Sequence, residues 1–268
     1  MKVLIICGNH PRHYFILKPL FKEFKNIRCI MMEREPVEQA PNYKCNTMNE
    51  KLLLKRHFKI RFDKESKFFG KKNIAENFSN KNMLYRSKSN LNSKKTLDFI
   101  KHFKPNVCFV MGAGLLKNKL LSILPNLTIN IHLGLSPWYR GSATLFWPSY
   151  NLEPWKTGVT FHKIDHNIDS GAILHQCRPR LEKNMGVIDL SIAAIKKAKV
   201  DFRQIIKKIK KKEKLSFKLQ PTIGRTYFSN TFRAIHLKLI YEKFNDRIIS
   251  YFFKNNTKLP KVNIIKMK

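Results

Sequence analysis

Three short apolar runs constrain the fold of this chain more than anything else in it. Lys2–Cys7 (KVLIIC) is closed by Gly8, Ile27–Met32 (IRCIMM) follows after a helix-length gap, and Val107–Met111 (VCFVM) stops at Gly112. Runs this short and this uniformly apolar fit strands covered on both faces, as in a parallel sheet. Between the first two, Phe15, Leu17, Leu20, Phe21 and Phe24 recur near helical spacing, so a helix is predicted over Tyr14–Phe24, with Pro19 in its first turns. Strand–helix–strand is the opening unit of doubly wound sheets. Further strands are expected at Thr128–His132, Val159–Ile164 and Ala172–Cys177, and helices at Ser93–Phe103 and Lys117–Leu124. Ile188–Lys212 carries a stripe of Ile188, Ile192, Ile195, Ala198, Phe202, Ile205 and Ile209, which predicts a long helix with one packed face. The Lys/Asn-rich stretch 42–92 is expected to form helices near Asn49–Phe58 and Asn73–Phe78, with loops, outside the main sheet.

The 268 residues carry 53 Lys+Arg against 18 Asp+Glu, a formal charge of +35. Such a charge favours polyanionic partners: nucleic acid, anionic lipid or a phosphorylated substrate. Yet 40 of the 53 are Lys, whereas specific phosphate and base recognition draws on the rigid fork of Arg. The lysine run Lys207–Lys212 therefore reads first as a solvated helix face, with an RNA or membrane-surface role as the alternative. Five cysteines without CxxC spacing argue against a disulfide framework or a zinc site, and no metal is expected. Cys7 and Cys108 sit inside strand-like runs and read as core residues. No apolar run reaches the ~20 residues that span a bilayer. Met1–Cys7 breaks at Gly8-Asn9-His10 without a small-residue cleavage site, so a reduced, cytoplasmic protein is expected.

The chemistry is concentrated between Asn130 and Gln176. Residues two apart on a strand share a face, so Asn130 and His132 project side by side from the C-terminal end of their strand. That end is where open α/β sheets bind ligands. A loop Pro137-Trp138-Tyr139-Arg140-Gly141 follows, and after the strand from Val159 comes an acidic turn, Asp165-His166-Asn167-Ile168-Asp169-Ser170-Gly171. Asn, His and Asp at strand ends suit acyl transfer to an amine. An Asn amide and an imidazolium donate to the tetrahedral oxyanion, and a carboxylate raises the His pKa and helps remove the amine proton. No GxSxG nucleophile elbow is present.

The ordered set NIHxxxxPxYRG, GxTxH and DxxIDxG resembles the 10-formyltetrahydrofolate-dependent formyltransferases, a family that includes methionyl-tRNA formyltransferases and sugar N-formyltransferases. The resemblance runs from about Asn106 to Gln176 and is weaker over the first strands. It implies the formyltransferase fold, a Rossmann-like, mostly parallel α/β sheet flanked by helices. Residues 1–214 would be the catalytic domain and 215–268 a short C-terminal extension. It implies a formyl group moved from 10-formyltetrahydrofolate, as co-substrate, to a primary amine. By match to the family's motif, Asn130, His132 and Asp169 would be catalytic. The pterin would lie between two loops holding Gly112, Gly114, Leu115 and Leu116 on one side and Asp165 and Ile168 on the other; the glycines fit equally a tight strand-to-helix turn. The loop after His132 reads Leu133-Gly134-Leu135-Ser136-Pro137 where the family more often has PSLLP or ASLLP, and Arg140-Gly141 is more like the tRNA and sugar branches than the purine branch.

Acceptor binding is assigned to Tyr139, Arg140 and the first turn. Asn9, Arg12 and His13 stand just before a helix, where a phosphate could be held, or where they simply form a capping turn. Trp138, Tyr139, Phe146 and Trp147 could line the acceptor pocket or belong to the core. Gln220–Tyr227 (QPTIGRTY) is similar to a segment that follows the catalytic domain in sugar-type members. The expected acceptor is the amine of a nucleotide-linked or otherwise phosphorylated sugar in polysaccharide biosynthesis. Charged initiator tRNA is the alternative, which the net charge favours and the short tail, with expected helices at Thr231–Lys243 and Asp246–Phe253, disfavours. A third reading is an inactive, formyltransferase-fold binding protein. A homodimer is a further expectation.

Overall fold

The computed structural model describes residues 1–33, 45–221, 223–255 and 259–267. Its centre is a seven-stranded sheet. Among the described residues the strands, in chain order, are β1 (Lys2–Gly8), β2 (Asn26–Met32), β3 (Met83–Arg86), β4 (Val107–Met111), β5 (Thr128–His132), β6 (Tyr139–Gly141), β7 (Val159–Lys163), β8 (Ile173–Cys177) and β9 (Arg225–Tyr227). The α-helices are α1 (Pro11–Leu17), α2 (Pro19–Glu23), α3 (Met48–Phe69), α4 (Lys94–Phe103), α5 (Asn118–Leu121), α6 (Trp147–Tyr150), α7 (Val187–Lys210), α8 (His236–Lys238) and α9 (Ile248–Asn255). The main sheet runs β3-β2-β1-β4-β5-β7-β8, parallel from β3 to β5. β7 then reverses against β5, and β8 reverses again.

Alternation within the apolar runs splits the core into two layers. Val3, Ile5 and Cys7 of β1 pack with α1 and with the stripe of α7, while Leu4 and Ile6 face Ile100 and Phe103 of α4. Every apolar residue foreseen on the α7 stripe is buried, and Phe202 meets Phe109 edge-on with centroids 5.1 Å apart. Cys7 and Cys108 are fully buried.

Several expectations need correction. The sheet does not end at β2: Met83–Arg86 joins its edge beside Cys29–Met32, against the expectation that 42–92 lies outside it. The strand is short and half-exposed, so it carries little of the apolar signature of its neighbours. Residues 42–44 of that stretch lie outside the described residues. Within it, α3 extends through Phe69, well beyond Phe58, and Asn73–Phe78 holds one 3-10 turn at Ile74–Asn77, closed by an Asn73/Glu76 capping box. The helix expected over Tyr14–Phe24 is two, α1 and α2, because Pro19 has no N–H to continue the ladder. In place of a single helix over Thr231–Lys243 there is a 3-10 turn, the one-turn α8 and a π-turn.

The chain order places the site. From β1 the sheet grows one way through β2 and β3, and the other way through β4 and β5. The C-terminal ends of β1 and β4 therefore flank the point where strand order reverses, the crevice that doubly wound sheets use for ligands. β5 ends on the same side, one strand further on, and carries Asn130 and His132 there.

Candidate active site

Asn130 and His132 do lie side by side, and Asp169 is brought to both from the β7–β8 turn. The Asn130 amide nitrogen donates to Asp169 Oδ1 at 2.9 Å. His132 Nδ1 lies 3.1 Å from the other carboxylate oxygen, Oδ2, which also accepts the Gly141 N–H at 2.8 Å. Asp169 adopts φ +50°, a left-handed conformation that Asp tolerates better than most side chains. Two residues on, a Cβ at Gly171 would overlap the Lys163 carbonyl, so the turn can close this tightly only with glycine there.

His162, the histidine that closes the GxTxH motif, belongs to the same cluster. The antiparallel register sets it directly opposite Asn130. Its Nδ1 donates to the Lys163 carbonyl at 2.6 Å, and its Nε2 takes the second N–H of the Asn130 amide at 3.0 Å. Both Asn130 donors are thus engaged within the protein. Both ring nitrogens of His132 face acceptors, Asp169 Oδ2 at Nδ1 and the Tyr139 carbonyl 2.9 Å from Nε2, so an uncharged ring donates to only one of the two. Gly134 makes room for this ring: a Cβ there would overlap His132 Nε2 and crowd the Tyr139 carbonyl.

Burial sets the charges. It pulls the His132 pKa below its ordinary value, outweighing the opposing pull of Asp169 and the Tyr139 carbonyl; His162 and Arg140 add to the lowering. The carboxylate alone would raise it, as expected from the sequence, but the ring is only 6 % exposed. Burial also pushes Asp169 up, but His132, His162 and the Gly141 N–H together hold its carboxyl well below the usual carboxylate range. The resting site is therefore an ionised Asp169 beside an uncharged His132.

Residues far along the chain close the site. Gln220 donates to the carbonyls of Asp169 and Gly171 at 2.9 and 2.7 Å. β9 pairs in parallel with β6, and Gly224, at φ +107°, lets the chain pass against the Pro137 carbonyl. Within the QPTIGRTY segment, Thr222 lies outside the described residues. Gln176 donates to the Ser136 carbonyl at 2.5 Å and accepts the Ile265 N–H at 3.0 Å, tying the loop after His132 to residues near the end of the chain.

The other predicted site residues divide. Tyr139 is buried, stacked on Tyr227 at 5.8 Å, with its hydroxyl on Glu153 at 2.7 Å, so it supports the site through its carbonyl. Phe146 and Trp147 are core. Arg140 is half-buried, and its Nε is buried without a hydrogen-bond partner; the same is true of Asn9 Oδ1. Arg12 is tied to Glu65 at 3.1 Å and His13 to the Gly8 carbonyl at 2.7 Å, so both are held by the fold. Asn9 follows β1, two strands and hence ~10 Å from β5. Gly112 has φ +61°, as a tight turn after β4 requires, and Leu115 is exposed. Asp165 accepts from the Asn167 N–H and the Ser170 hydroxyl, shaping the second loop, with Ile168 at its surface. Between these two loops opens a cavity of about 410 Å³, lined by Leu115, Leu116 and His166 among others.

A formyl transferase family model matches residues 48–202, more than half of the chain. The chain belongs to the formyl transferase family. Among curated relatives, GDP-perosamine N-formyltransferase of Brucella melitensis is 30% identical over 119 residues, covering 44% of this chain and 46% of the relative. Methionyl-tRNA formyltransferase of Clostridioides difficile is 36% identical over 93 residues, 34% of this chain and 30% of the relative. These matches span less than half of the relatives' length. An N-formyltransferase from Helicobacter canadensis, solved with folinic acid and dTDP-3-aminofucose, superposes with a TM-score of 0.59 at 18% identity, over 98% of this chain and 85% of that one. A 4-N formyltransferase from Francisella tularensis gives 0.56 at 18%, over 86% and 78%. At such identities the two structures establish the fold. Among the described residues, no helix is long and apolar enough to cross a membrane, and no His, Cys, Asp and Glu cluster could hold a metal.

Proposed function

We propose that this member of the formyl transferase family moves a formyl group from 10-formyltetrahydrofolate to the primary amine of a nucleotide-linked amino sugar. The observation that carries the reading is the convergence of Asn130 and His132 on Asp169 at the C-terminal edge of the sheet. The acceptor amine attacks the formyl carbon, a C–N bond forms, and the bond to N10 of the folate breaks. Asn130 is placed to donate to the oxyanion once the formyl oxygen displaces one of its two present partners. The uncharged His132 takes the amine proton and returns it to N10 as that bond breaks, so the folate leaves as tetrahydrofolate. The imidazolium so formed is already provided for, by the Asp169 carboxylate on one side and the Tyr139 carbonyl on the other. Asp169 orients the ring and balances its charge. The co-substrate fits the two loops around Gly112–Leu116 and Asp165–Ile168, with the cavity between them. On the acceptor side, the unpartnered Arg140 Nε is a donor for an anionic group and Asn9 Oδ1 an acceptor for a hydroxyl or amine.

Two features support a sugar acceptor: the relative that formylates GDP-perosamine, and a likeness to sugar-type structures that extends over nearly the whole chain. The net charge of +35 and the methionyl-tRNA formyltransferase relative favour the second reading, charged initiator tRNA. Purified protein is given 10-formyltetrahydrofolate with nucleotide-linked 3-amino or 4-amino sugars, or with charged initiator tRNA, and release of tetrahydrofolate is followed. Turnover with a sugar nucleotide and none with tRNA is expected; turnover with tRNA alone reverses the ranking. Asn130→Ala should lower turnover at least ~10²-fold, the scale of one lost oxyanion donor. An unchanged rate would place the chemistry elsewhere, and inactivity of the wild-type protein in every arm would favour a binding role.

A further inference from the structure

The helical side of the molecule carries a charged surface that formyl transfer does not use. α1, α2 and α3 all pack against α7. On α7, Lys196, Lys199, Arg203, Lys207 and Lys210 recur three or four residues apart, so they form one stripe clear of the buried one. Lys18, between α1 and α2, and Lys22 of α2 stand close to it. Burial lowers the Lys199 pKa, and Arg203, Lys18 and Lys22 lower it further. Lys199 Nζ lies 3.7 Å from the centre of the Phe15 ring and Lys196 Nζ 5.0 Å from that of Phe68, and the two rings meet edge to face at 5.6 Å. Every carboxylate of these four helices is already engaged. Glu23 takes Lys210 at 2.9 Å, Asp63 takes Lys59, Asp189 takes Lys64, and Glu65 takes Arg12 and Arg61. Asp201 is buried against His175 and Lys197, and Glu50 accepts the Asn46 N–H. Among the described residues, Lys18, Lys22, Lys196, Lys199, Arg203 and Lys207 meet no carboxylate within ion-pair distance. In the lysine run foreseen from the sequence, Lys208 and Lys210 are paired with Glu213 and Glu23, so the unpaired charge centres earlier on α7.

We infer that this face of α1, α2, α3 and α7 docks on an anionic lipid surface. Six cations held together without counter-charges favour a polyanion, and the chemistry around them selects lipid over nucleic acid. Five of the six are Lys, whose point charge suits a diffuse layer of headgroups, whereas nucleic-acid phosphates draw on the fork of Arg. Phe68, 38 % exposed, and Val200, 52 % exposed, set apolar side chains among the cations, the mixture of a helix face that lies in a membrane interface. Lys199 and Lys196 already sit over the Phe15 and Phe68 rings, which withdraws those ring faces from stacking with a base. Each Lys or Arg near an anionic membrane strengthens binding about 5-fold. The inference stands apart from the formyl-transfer reading, because binding to lipid requires neither folate nor acceptor.

The test is co-sedimentation of the full chain with vesicles at about 0.1 M salt. Vesicles of phosphatidylcholine alone are compared with vesicles that also contain phosphatidylglycerol. The face variant is K18Q/K22Q/R203Q/K207Q. A net charge of +35 attracts any anionic surface, so a second variant, K94Q/K95Q/K101Q/K104Q, removes the same charge from α4, on the other face of the sheet and beyond a Debye length. All eight side chains are exposed, so both variants should melt within a few degrees of wild type. Wild type should bind the mixed vesicles and not phosphatidylcholine. The face variant should bind them ~10²–10³-fold more weakly, and the α4 variant within about 5-fold of wild type. Equal losses in the two variants would reduce the effect to net charge and overturn the inference. So would a wild-type protein that ignores both vesicles or binds both alike. Bulk tRNA is the competing polyanion: if the face changes weaken tRNA binding more than vesicle binding, the surface serves RNA and the inference fails.

Discussion

Replacing Asp169 by Asn keeps the shape of the side chain and removes its charge. The carboxylate accepts three donors, from Asn130, His132 and Gly141. An amide in its place must turn its NH2 either toward the Asn130 amide nitrogen or toward His132 and Gly141. Either way, at least one donor loses its partner in a buried site, at about 1–3 kcal/mol, and the bonds that remain lose their charge assistance. A total near 3 kcal/mol lowers the melting temperature by roughly 6–12 °C in a chain of this size. The penalty has a pH signature. Asp169 is held below its ordinary 3.8 in the folded protein, so its contribution is complete above about pH 4 and is lost as pH falls toward the folded value. Denaturant unfolding of both proteins at pH 7 and at stepwise lower pH should show the gap shrinking below about pH 4. Turnover at pH 7 should fall by about 10²–10⁴-fold, since His132 loses both its orientation and its counter-charge. A gap that is constant with pH, or activity within 10-fold of wild type, would refute the account.

Other outcomes follow from the same geometry. Gly134→Ala should destabilise by about 1–3 kcal/mol and depress turnover more than binding, because the new methyl displaces the His132 ring; kcat and Kd measured together check this. Gln220→Ala should free the carbonyls of Asp169 and Gly171 and lower kcat with little change in folate affinity, as single-turnover kinetics would show. His57 is buried against Tyr241 and Phe58, and burial lowers its pKa to about 3 from 6.5. The unfolded chain therefore binds a proton that the folded one refuses, and stability falls as pH drops from 6.5 toward 3. His57→Gln should reduce that slope by up to ~1.4 kcal/mol per pH unit in denaturant titrations.

How far the chain can be read from its sequence depends on range along it. β1, β2, β4 and β5 announce themselves because both faces are buried, and the two-residue repeat of a strand pairs Asn130 with His132. Asp169 comes through its motif, since no local rule carries a turn to a strand end 39 residues away. His162 escapes because its role arises from the antiparallel register of β7 on β5, which sets it opposite Asn130. A single strand shows alternation but not its partner. β3 is hidden by its four residues and half-exposed face. Gln176 and Gln220 look like ordinary polar residues until the chain returns past Ser136 and Asp169.

That return bears on when the protein can first act during its own synthesis. His132 emerges early, but the strand that braces Tyr139–Gly141 is made of residues 225–227, about 100 residues later. At roughly 5–20 residues per second, a ribosome needs about 5–20 s to cover that distance. Throughout that interval the nascent chain has its Asn and His without the brace that holds Gly141 against Asp169. The geometry proposed for catalysis is therefore a late product of translation, and a chain cut short before Arg225 would carry the motif without the strand that braces it.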